Sequence, residues 1–198
     1  MKNHFLAISL CIAVLLFSCA RNLKEDITLN IDDTGVNYNY GANDESNYLD
    51  VGDSNRLYNE VLREIGYAFR EKGNDVTLTG IQGDYTLRIV SFYFTESQVS
   101  ETVTDPCDTS TSLNYTVSTI EGFMKCEVIN NFTGQNTFVE AEAESDEDVK
   151  NHPTIFQTLI GNDSCYTPRV SNAYPEAVER RLVRRIHRRA MQVIKGWQ

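Results

Sequence analysis

Histidine is the first side chain to consider for chemistry, because it can exchange protons near neutral pH. Beyond the N-terminal residues 1–18 the chain has His152, beside Pro153, and His187, among six arginines near the C-terminus. A nucleophilic site needs such a base within hydrogen-bond reach of a serine or cysteine. No GxSxG, HExxH, GxGxxG or P-loop pattern is present. We therefore expect no catalytic residue and no enzymatic activity.

Carboxylates are the second candidate for chemistry. Glu140, Glu142 and Glu144 alternate along a predicted strand, and Asp146-Glu147-Asp148 follows them. Two carboxylates could hydrolyse a glycosidic bond, but alternating glutamates are typical of the solvated face of a sheet. The acidic run lacks the glycine and the spaced ligands of an EF-hand loop. We expect no metal and no cofactor, and the sequence leaves open whether the run at 144–148 binds a cation.

The third candidate is a basic segment at the C-terminus. A helix is predicted from Pro175 to about Trp197, and at 100° per residue its arginines and its apolar residues fall on opposite halves. The apolar half could dock on a sheet and leave the arginines to solvent. The arginines could instead lie on anionic lipid headgroups or bind a protein or glycolipid. The expected partner-binding or membrane-binding residues are Arg181, Arg184, Arg185 and Arg188.

The charge of the chain is divided unevenly. Residues 176–198 carry seven basic and two acidic side chains, a charge of +5. Residues 19–175 carry ten basic and 26 acidic side chains, a charge of −16. Because phosphate binding needs a concentrated basic surface, nucleic acid is a poor partner for such a body.

The N-terminus reads as a targeting signal. Met1-Lys2-Asn3-His4 precedes an apolar run from Phe5 to Phe17 that is short for a permanent membrane helix. It ends in Leu16-Phe17-Ser18-Cys19, which resembles the lipobox of bacterial lipoproteins. The resemblance implies a signal peptide over residues 1–18 and acylation of Cys19, palmitate included. The chain would then be anchored in the membrane by lipid rather than span it.

Three cysteines lie beyond Cys19. An envelope compartment is oxidising, so cysteine pairing is expected. Cys107 and Cys165 both lie among turn-forming residues and are the predicted disulfide. Cys126 shares one face of a predicted strand with Met124 and Val128, which predicts a buried thiol. No CxxC pattern indicates a zinc or redox site.

The remaining elements define one α+β domain over residues 54–198, behind a lipidated tether at 19–53 with a peripheral strand at Ile27–Ile31. Apolar spacing of three and four predicts a helix over 54–71. The period then changes to two and predicts an antiparallel meander of about five strands, packed by this helix and the C-terminal amphipathic helix. Residues 96–112 and 144–175 are expected to be loops, the second with a short helix at 154–159.

Three segments resemble the small α+β outer-membrane lipoproteins of the lipopolysaccharide-assembly and YajG-like type. They are Glu71-Lys72-Gly73, the stretch from Gly83 to Ile89, and the hairpin Asn130-Asn131-Phe132-Thr133-Gly134-Gln135. The resemblance implies a non-enzymatic scaffold or assembly factor on the outer membrane, facing the periplasm. It transfers no binding residue.

Two functions therefore remain. The first is a membrane-anchored scaffold, assembly or interaction factor whose partner is an envelope protein or glycolipid. The second is a lipid-anchored ligand-binding module that uses the 96–112 and 144–175 loops.

Overall fold

The computed structural model describes residues 27–41, 46, 48–71, 75–78, 83–105, 107–150 and 168–198. These residues confirm the α+β class and both predicted helices. The helices are α1 (Ser54–Arg70), preceded by a 3-10 turn (Val51–Asp53), and α2 (Pro175–Trp197). The strands are β1 (Thr28–Asp32), β2 (Asn37–Gly41), β3 (Asp75–Leu78), β4 (Tyr85–Thr104), β5 (Ser112–Asn130), β6 (Asn136–Asp146), β7 (Val149–Lys150) and β8 (Arg169–Val170).

The main sheet is mixed. Its described strands run in the order β3-β1-β4-β5-β6, and β2 pairs with β4 further along the same edge as β1. The pairs β1–β3, β1–β4 and β2–β4 are parallel, whereas β4–β5 and β5–β6 are antiparallel. The predicted antiparallel meander is therefore wrong for the first half of the sheet. A parallel pair needs a crossover, here through α1, and the period of a single strand does not encode its neighbour.

The strand predicted at 27–31 is present as β1, but it lies inside the sheet rather than at its periphery. Between β3 and β4, the side chains of Leu29 and Ile31 are only 1% and 2% exposed. The first residues that the structure describes therefore belong to the core.

The expected loop at 96–112 is wrong over most of its length. β4 continues to Thr104 and pairs with β5 from Ser112 onward, so a two-stranded arm extends beyond the rest of the sheet. Residues 112–130 form one continuous strand, β5. The polar composition suggested a loop, but cross-strand pairs such as Val99–Val117 align in register.

The expected 144–175 loop lies within the described residues only at 144–150 and 168–175. β6 continues to Asp146, and β7 pairs with β8. The predicted helix at 154–159 lies outside the described residues.

The core lies between one face of the sheet and the two helices. The buried side chains of α1 recur every four residues, and those of α2 do the same, because residues i and i+4 share a helix face. They include Leu57, Val61, Ile65 and Phe69 on α1, and Val178, Leu182, Ile186, Ala190 and Ile194 on α2, where Glu179 and Val183 are buried beside this row. The inner sheet face contributes Phe92, Phe94, Ile120 and Met124, each fully buried.

Gly122 sets how closely α2 approaches the sheet. A Cβ at this position would lie 2.7 Å from Leu182 Cδ1 and 2.8 Å from Val178 Cγ1. Only a residue without a side chain leaves room for both helix residues in the unshifted structure. The close approach brings the arginines of α2 to the edge of the sheet.

Candidate binding surfaces on the C-terminal helix and the outer sheet face

The arginines of α2 form two rows, because residues four apart lie one above the other on a helix. We call Arg181, Arg185 and Arg189 the edge row, and Arg180, Arg184 and Arg188 the open row. All six side chains are exposed to solvent.

The edge row binds the backbone of the edge strand β6. Nη1 of Arg181 donates to the carbonyl oxygen of Glu144 at 2.6 Å. Nη1 of Arg185 and of Arg189 donate in the same way to the carbonyls of Glu142 and Glu140. The three arginines are four residues apart, which is about 6 Å along a helix, and the three carbonyls are two residues apart, which is about 6.8 Å along a strand. The two spacings nearly match, so each arginine lies beside one carbonyl.

These contacts satisfy acceptors that a sheet edge otherwise exposes. An edge strand with free carbonyl groups is a template for pairing with another chain. Three guanidinium groups along β6 occupy that position. The edge row is therefore part of the fold.

The open row is different. Arg180 Nε donates to the carbonyl oxygen of Glu176 on its own helix at 3.2 Å. Arg184 and Arg188 make no hydrogen bond or ion pair within the described ranges of the chain. The four residues predicted to bind a partner thus split into two pairs. Arg181 and Arg185 contact β6, and Arg184 and Arg188 point to solvent.

A groove opens beside the edge row, on the outer face of the sheet. We call it the outer groove; its volume is about 610 Å³. Its floor includes the rings of Tyr93 and Phe123, which stack with centroids 5.7 Å apart. Its charged lining consists of Glu121, Glu142, Glu144, Arg181 and Arg185.

The glutamates of the outer groove differ from Glu127 and Glu140 on the same face. Glu121 and Glu144 are directly opposite each other on neighbouring strands. Neither they nor Glu142 form an ion pair with any described residue. Lower on the same face, Lys125 Nζ lies 2.8 Å from Glu140, and Arg88 lies between Asp32 and Glu127. The sequence predicted a solvated acidic face but not this local excess of carboxylates.

The acidic run after β6 contains a structural residue. Glu147 Oε1 accepts from the hydroxyl of Tyr48 at 2.5 Å, and its Oε2 accepts from the amide of Ser118 at 2.6 Å. Glu96, only 7% exposed, accepts from the amides of Tyr48 and Leu49 at 3.0 Å each. The pKa of Tyr48 is raised to about 12, mainly by burial and next by the hydrogen bond with the Glu147 carboxylate. These carboxylates hold the segment before α1 to the base of the arm.

Glu179 is the buried acid of α2. Its side chain is 6% exposed on the side of α2 that faces α1. Burial raises the pKa of Glu179 to about 7, with further contributions from Glu60, Glu64 and Glu176 and an opposing one from Arg63. This carboxyl group titrates near neutral pH, unlike an ordinary surface glutamate.

The remaining residues singled out from the sequence are the cysteines and the histidines. Cys126 is a free, fully buried thiol, as predicted, and burial raises its pKa to about 12. Cys107 lies on the exposed turn of the arm, but Cys165 and Cys19 lie outside the described residues, so the disulfide and the lipidation stay predictions. His152 also lies outside them, and the His187 ring makes an edge contact with Phe69 at 4.7 Å. Within the described ranges, no three His, Cys, Asp or Glu side chains cluster as a metal site would require.

Comparisons with known proteins give similarity of shape only. No model of a known family matches the chain, and no curated protein matches it. A crystal structure described as a homolog of a neuraminyllactose-binding hemagglutinin from Helicobacter pylori has a TM-score of 0.43 at 7% identity, covering 87% of this chain and 86% of that one. Rare lipoprotein B from Shewanella oneidensis has a TM-score of 0.35 at 12% identity, covering 85% and 94%. A hypothetical protein from Chlamydia trachomatis has a TM-score of 0.36 at 8% identity, covering 83% and 95%.

Within the described residues, no helix combines the length and the apolar character that crossing a bilayer requires.

Proposed function

We propose that this protein is a non-enzymatic envelope lipoprotein that is anchored through Cys19 and binds an anionic partner through Arg184 and Arg188. The observation that carries the proposal is the division of the arginines. The edge row is bound to β6, whereas Arg184 and Arg188 lack a hydrogen-bond or ion-pair partner in the described chain. Exposed cations that the fold does not use are available to a partner.

The anchor is supported by the sequence. The apolar run that ends in Leu16-Phe17-Ser18-Cys19 is the pattern that precedes a lipidated cysteine. Palmitate at Cys19, an outer-membrane position facing the periplasm and a Cys107–Cys165 disulfide all belong to this proposal. The test of the anchor is Cys19→Ala, which should abolish fatty-acid labelling and leave the precursor uncleaved. Unchanged labelling of the variant would refute the lipoprotein assignment.

The partner class follows from guanidinium chemistry. Arginine binds phosphate groups bidentately. Each cationic side chain near an anionic membrane surface contributes about 1 kcal/mol to the free energy of binding. Among envelope partners we favour a phosphate-bearing glycolipid, and an acidic protein is the competing outcome. Nucleic acid is not proposed, because residues 19–175 carry a charge of −16 from ten basic and 26 acidic side chains.

The experiment uses the chain from Ala20 onward, which contains every described residue, and measures cosedimentation with vesicles. We expect binding to vesicles that contain a phosphate-bearing anionic glycolipid and little binding to neutral vesicles. The double variant Arg184→Gln/Arg188→Gln should bind at least tenfold more weakly. Its matched control is Arg56→Gln/Arg63→Gln, which removes the same charge from arginines that have carboxylate neighbours.

The control variant should bind as the parent chain does. Equal losses in both variants would reduce the binding to net charge and refute the assignment to Arg184 and Arg188. Binding to an acidic envelope protein but not to the vesicles would replace the glycolipid by a protein partner.

The second function predicted from the sequence, a ligand-binding module, relied on a loop at 96–112, but residues 96–104 and 112 belong to strands. The candidate ligand site is instead the outer groove.

A further inference from the structure

The outer groove carries charges of both signs at fixed places. Two guanidinium groups, of Arg181 and Arg185, lie along the edge of β6, and three carboxylates lie on the sheet beside the Tyr93–Phe123 stack. We propose that the outer groove binds a small zwitterion with one ammonium and one phosphate group, of the phosphoethanolamine type. Nothing in the partner site at Arg184 and Arg188 is needed for this binding.

The ammonium group is matched by the floor of the groove. Like charges directly opposite on neighbouring strands are destabilising, and Glu121 faces Glu144 in this way. A bound cation would relieve that repulsion. The faces of Tyr93 and Phe123 add cation–π attraction for an ammonium group within about 6 Å. Acids and an aromatic floor together favour a cation over a second anion.

The choice of carboxylates is specific. Glu140 and Glu127, on the same face, already have Lys125 and Arg88 as ion-pair partners. Glu121, Glu142 and Glu144 have no such partner among the described residues, and all three line the outer groove. Three unpaired carboxylates therefore meet at the groove.

The phosphate group is matched by the edge row. A guanidinium group has five N–H donors, and Arg181 and Arg185 each use Nη1 on a β6 carbonyl. Their other N–H groups remain to donate to phosphate oxygens, which guanidinium binds bidentately. Because the strand already holds both side chains, binding would cost little side-chain entropy.

The dimensions agree with a small ligand. The groove volume of about 610 Å³ falls within the range of small-molecule sites, about 300–1,000 Å³. Neighbouring strands are about 4.8 Å apart, so Phe123 on β5 lies about 5 Å from β6 and Tyr93 on β4 about 10 Å from it. A small zwitterion whose ammonium group lies beside Glu144 and Phe123 can place its phosphate group at the guanidinium groups along β6.

The test is calorimetric titration of the chain from Ala20 onward with three probes: O-phosphoethanolamine, ethanolamine and inorganic phosphate. O-phosphoethanolamine should bind at least tenfold more tightly than either single-charge probe. Equal affinity for inorganic phosphate would leave only an anion site at the arginines and overturn the proposal. Equal affinity for ethanolamine, or no binding of any probe, would also overturn it.

Two double variants test whether the ligand binds in the outer groove, and neither is expected to unfold the protein. Glu121→Gln/Glu144→Gln should lose at least tenfold in O-phosphoethanolamine affinity while its melting temperature stays the same or rises, since a like-charge pair is removed. The charge-matched control Glu127→Gln/Glu140→Gln should keep the affinity. An equal loss in the control would refute a specific site.

One more variant tests whether the outer groove binds its ligand independently of the proposed partner site at Arg184 and Arg188. Arg184→Gln/Arg188→Gln should bind O-phosphoethanolamine as the parent chain does. A loss there would merge the two sites, and the groove would no longer be an independent one.

Discussion

The two arginine rows of α2 have the same residue type, the same helix and the same exposure, but different surroundings. Each edge-row side chain reaches a backbone carbonyl of β6, with Arg181 to Glu144 at 2.6 Å as one example. The side chains of Arg184 and Arg188, one residue before Arg185 and Arg189, make no hydrogen bond or ion pair with any described residue. A rotation of 100° about the helix axis separates a structural arginine from an available one. Composition therefore does not reveal which arginine is free to bind.

The largest expected effect comes from removing the apolar contact on which both rows depend. Ile186 is fully buried on the sheet-facing side of α2. Ile186→Ala should lower the free energy of unfolding by about 2–5 kcal/mol, because it leaves a cavity under the helix. Chemical denaturation of the chain from Ala20 onward measures this. The half-buried Val193→Ala is the control and should cost less; an equal or greater cost there would contradict the packing described.

The next effect comes from moving α2 away from the sheet. Gly122→Ala places a methyl group against Leu182 and Val178 at less than 3 Å, so these side chains or the helix must shift. Overpacking of this kind should lower the free energy of unfolding by about 1–3 kcal/mol. Thermal denaturation gives the value. An unchanged melting temperature would mean that Leu182 rotates away freely and that Gly122 does not set the helix position.

The direct test of the two rows is a pair of charge-matched triple variants. Arg181, Arg185 and Arg189 changed together to Gln should lower the free energy of unfolding by roughly 1–2 kcal/mol in total, since exposed charged hydrogen bonds contribute modestly. The same change at Arg180, Arg184 and Arg188 should alter it by less than about 0.5 kcal/mol. Equal losses in the two variants would remove the distinction between the rows.

The smallest effect concerns the side of α2 that faces α1. The pKa of Glu179 is raised from 4.5 to about 7, so its charged form is disfavoured in the folded state. Stability is therefore lost as the pH rises from about 4.5 through 7, and Glu179→Gln should avoid that loss. We expect the variant to be more stable than the parent chain by about 1 kcal/mol at pH 8, where solvent screens part of the shift. At pH 4 the two should agree.

One result would contradict the unfavourable burial of the charged Glu179 side chain. A Glu179→Gln variant that is less stable than the parent chain at pH 8 would mean that the carboxylate has a favourable partner. Glu176→Gln, at an exposed position in the first turn of the same helix, keeps Glu179 and is the control; it should retain the loss of stability that the parent chain shows between pH 4 and pH 8.

The elements with local signatures were predictable from the sequence. α1 and α2 follow from apolar residues at helical spacing, and Pro175 begins α2 as expected. The burial of Cys126 follows from alternation along β5. These patterns are properties of a few neighbouring residues, so no knowledge of the remaining fold is needed to read them.

The arm was not predictable in the same way. Residues 96–104 are polar, with few apolar positions, and their strand conformation depends on pairing with residues 112–119 of β5. A strand that is stabilised by its partner rather than by its own composition gives a weak local signal. The expected loop at 96–112 failed for this reason.

By itself, the sequence determined the two helices, the buried thiol at Cys126 and the basic character of the C-terminal segment, because each depends on spacing along the chain. Only the tertiary structure decided that β1 joins the interior of a mixed sheet and that Gly122 admits α2. It also decided that Arg181 and Arg185 donate to β6, whereas the side chains of Arg184 and Arg188 have no hydrogen-bond or ion-pair partner among the described residues. The physical reason is that these features depend on which distant elements become neighbours. A backbone carbonyl of β6 can accept from an arginine only after packing has brought α2 alongside that strand.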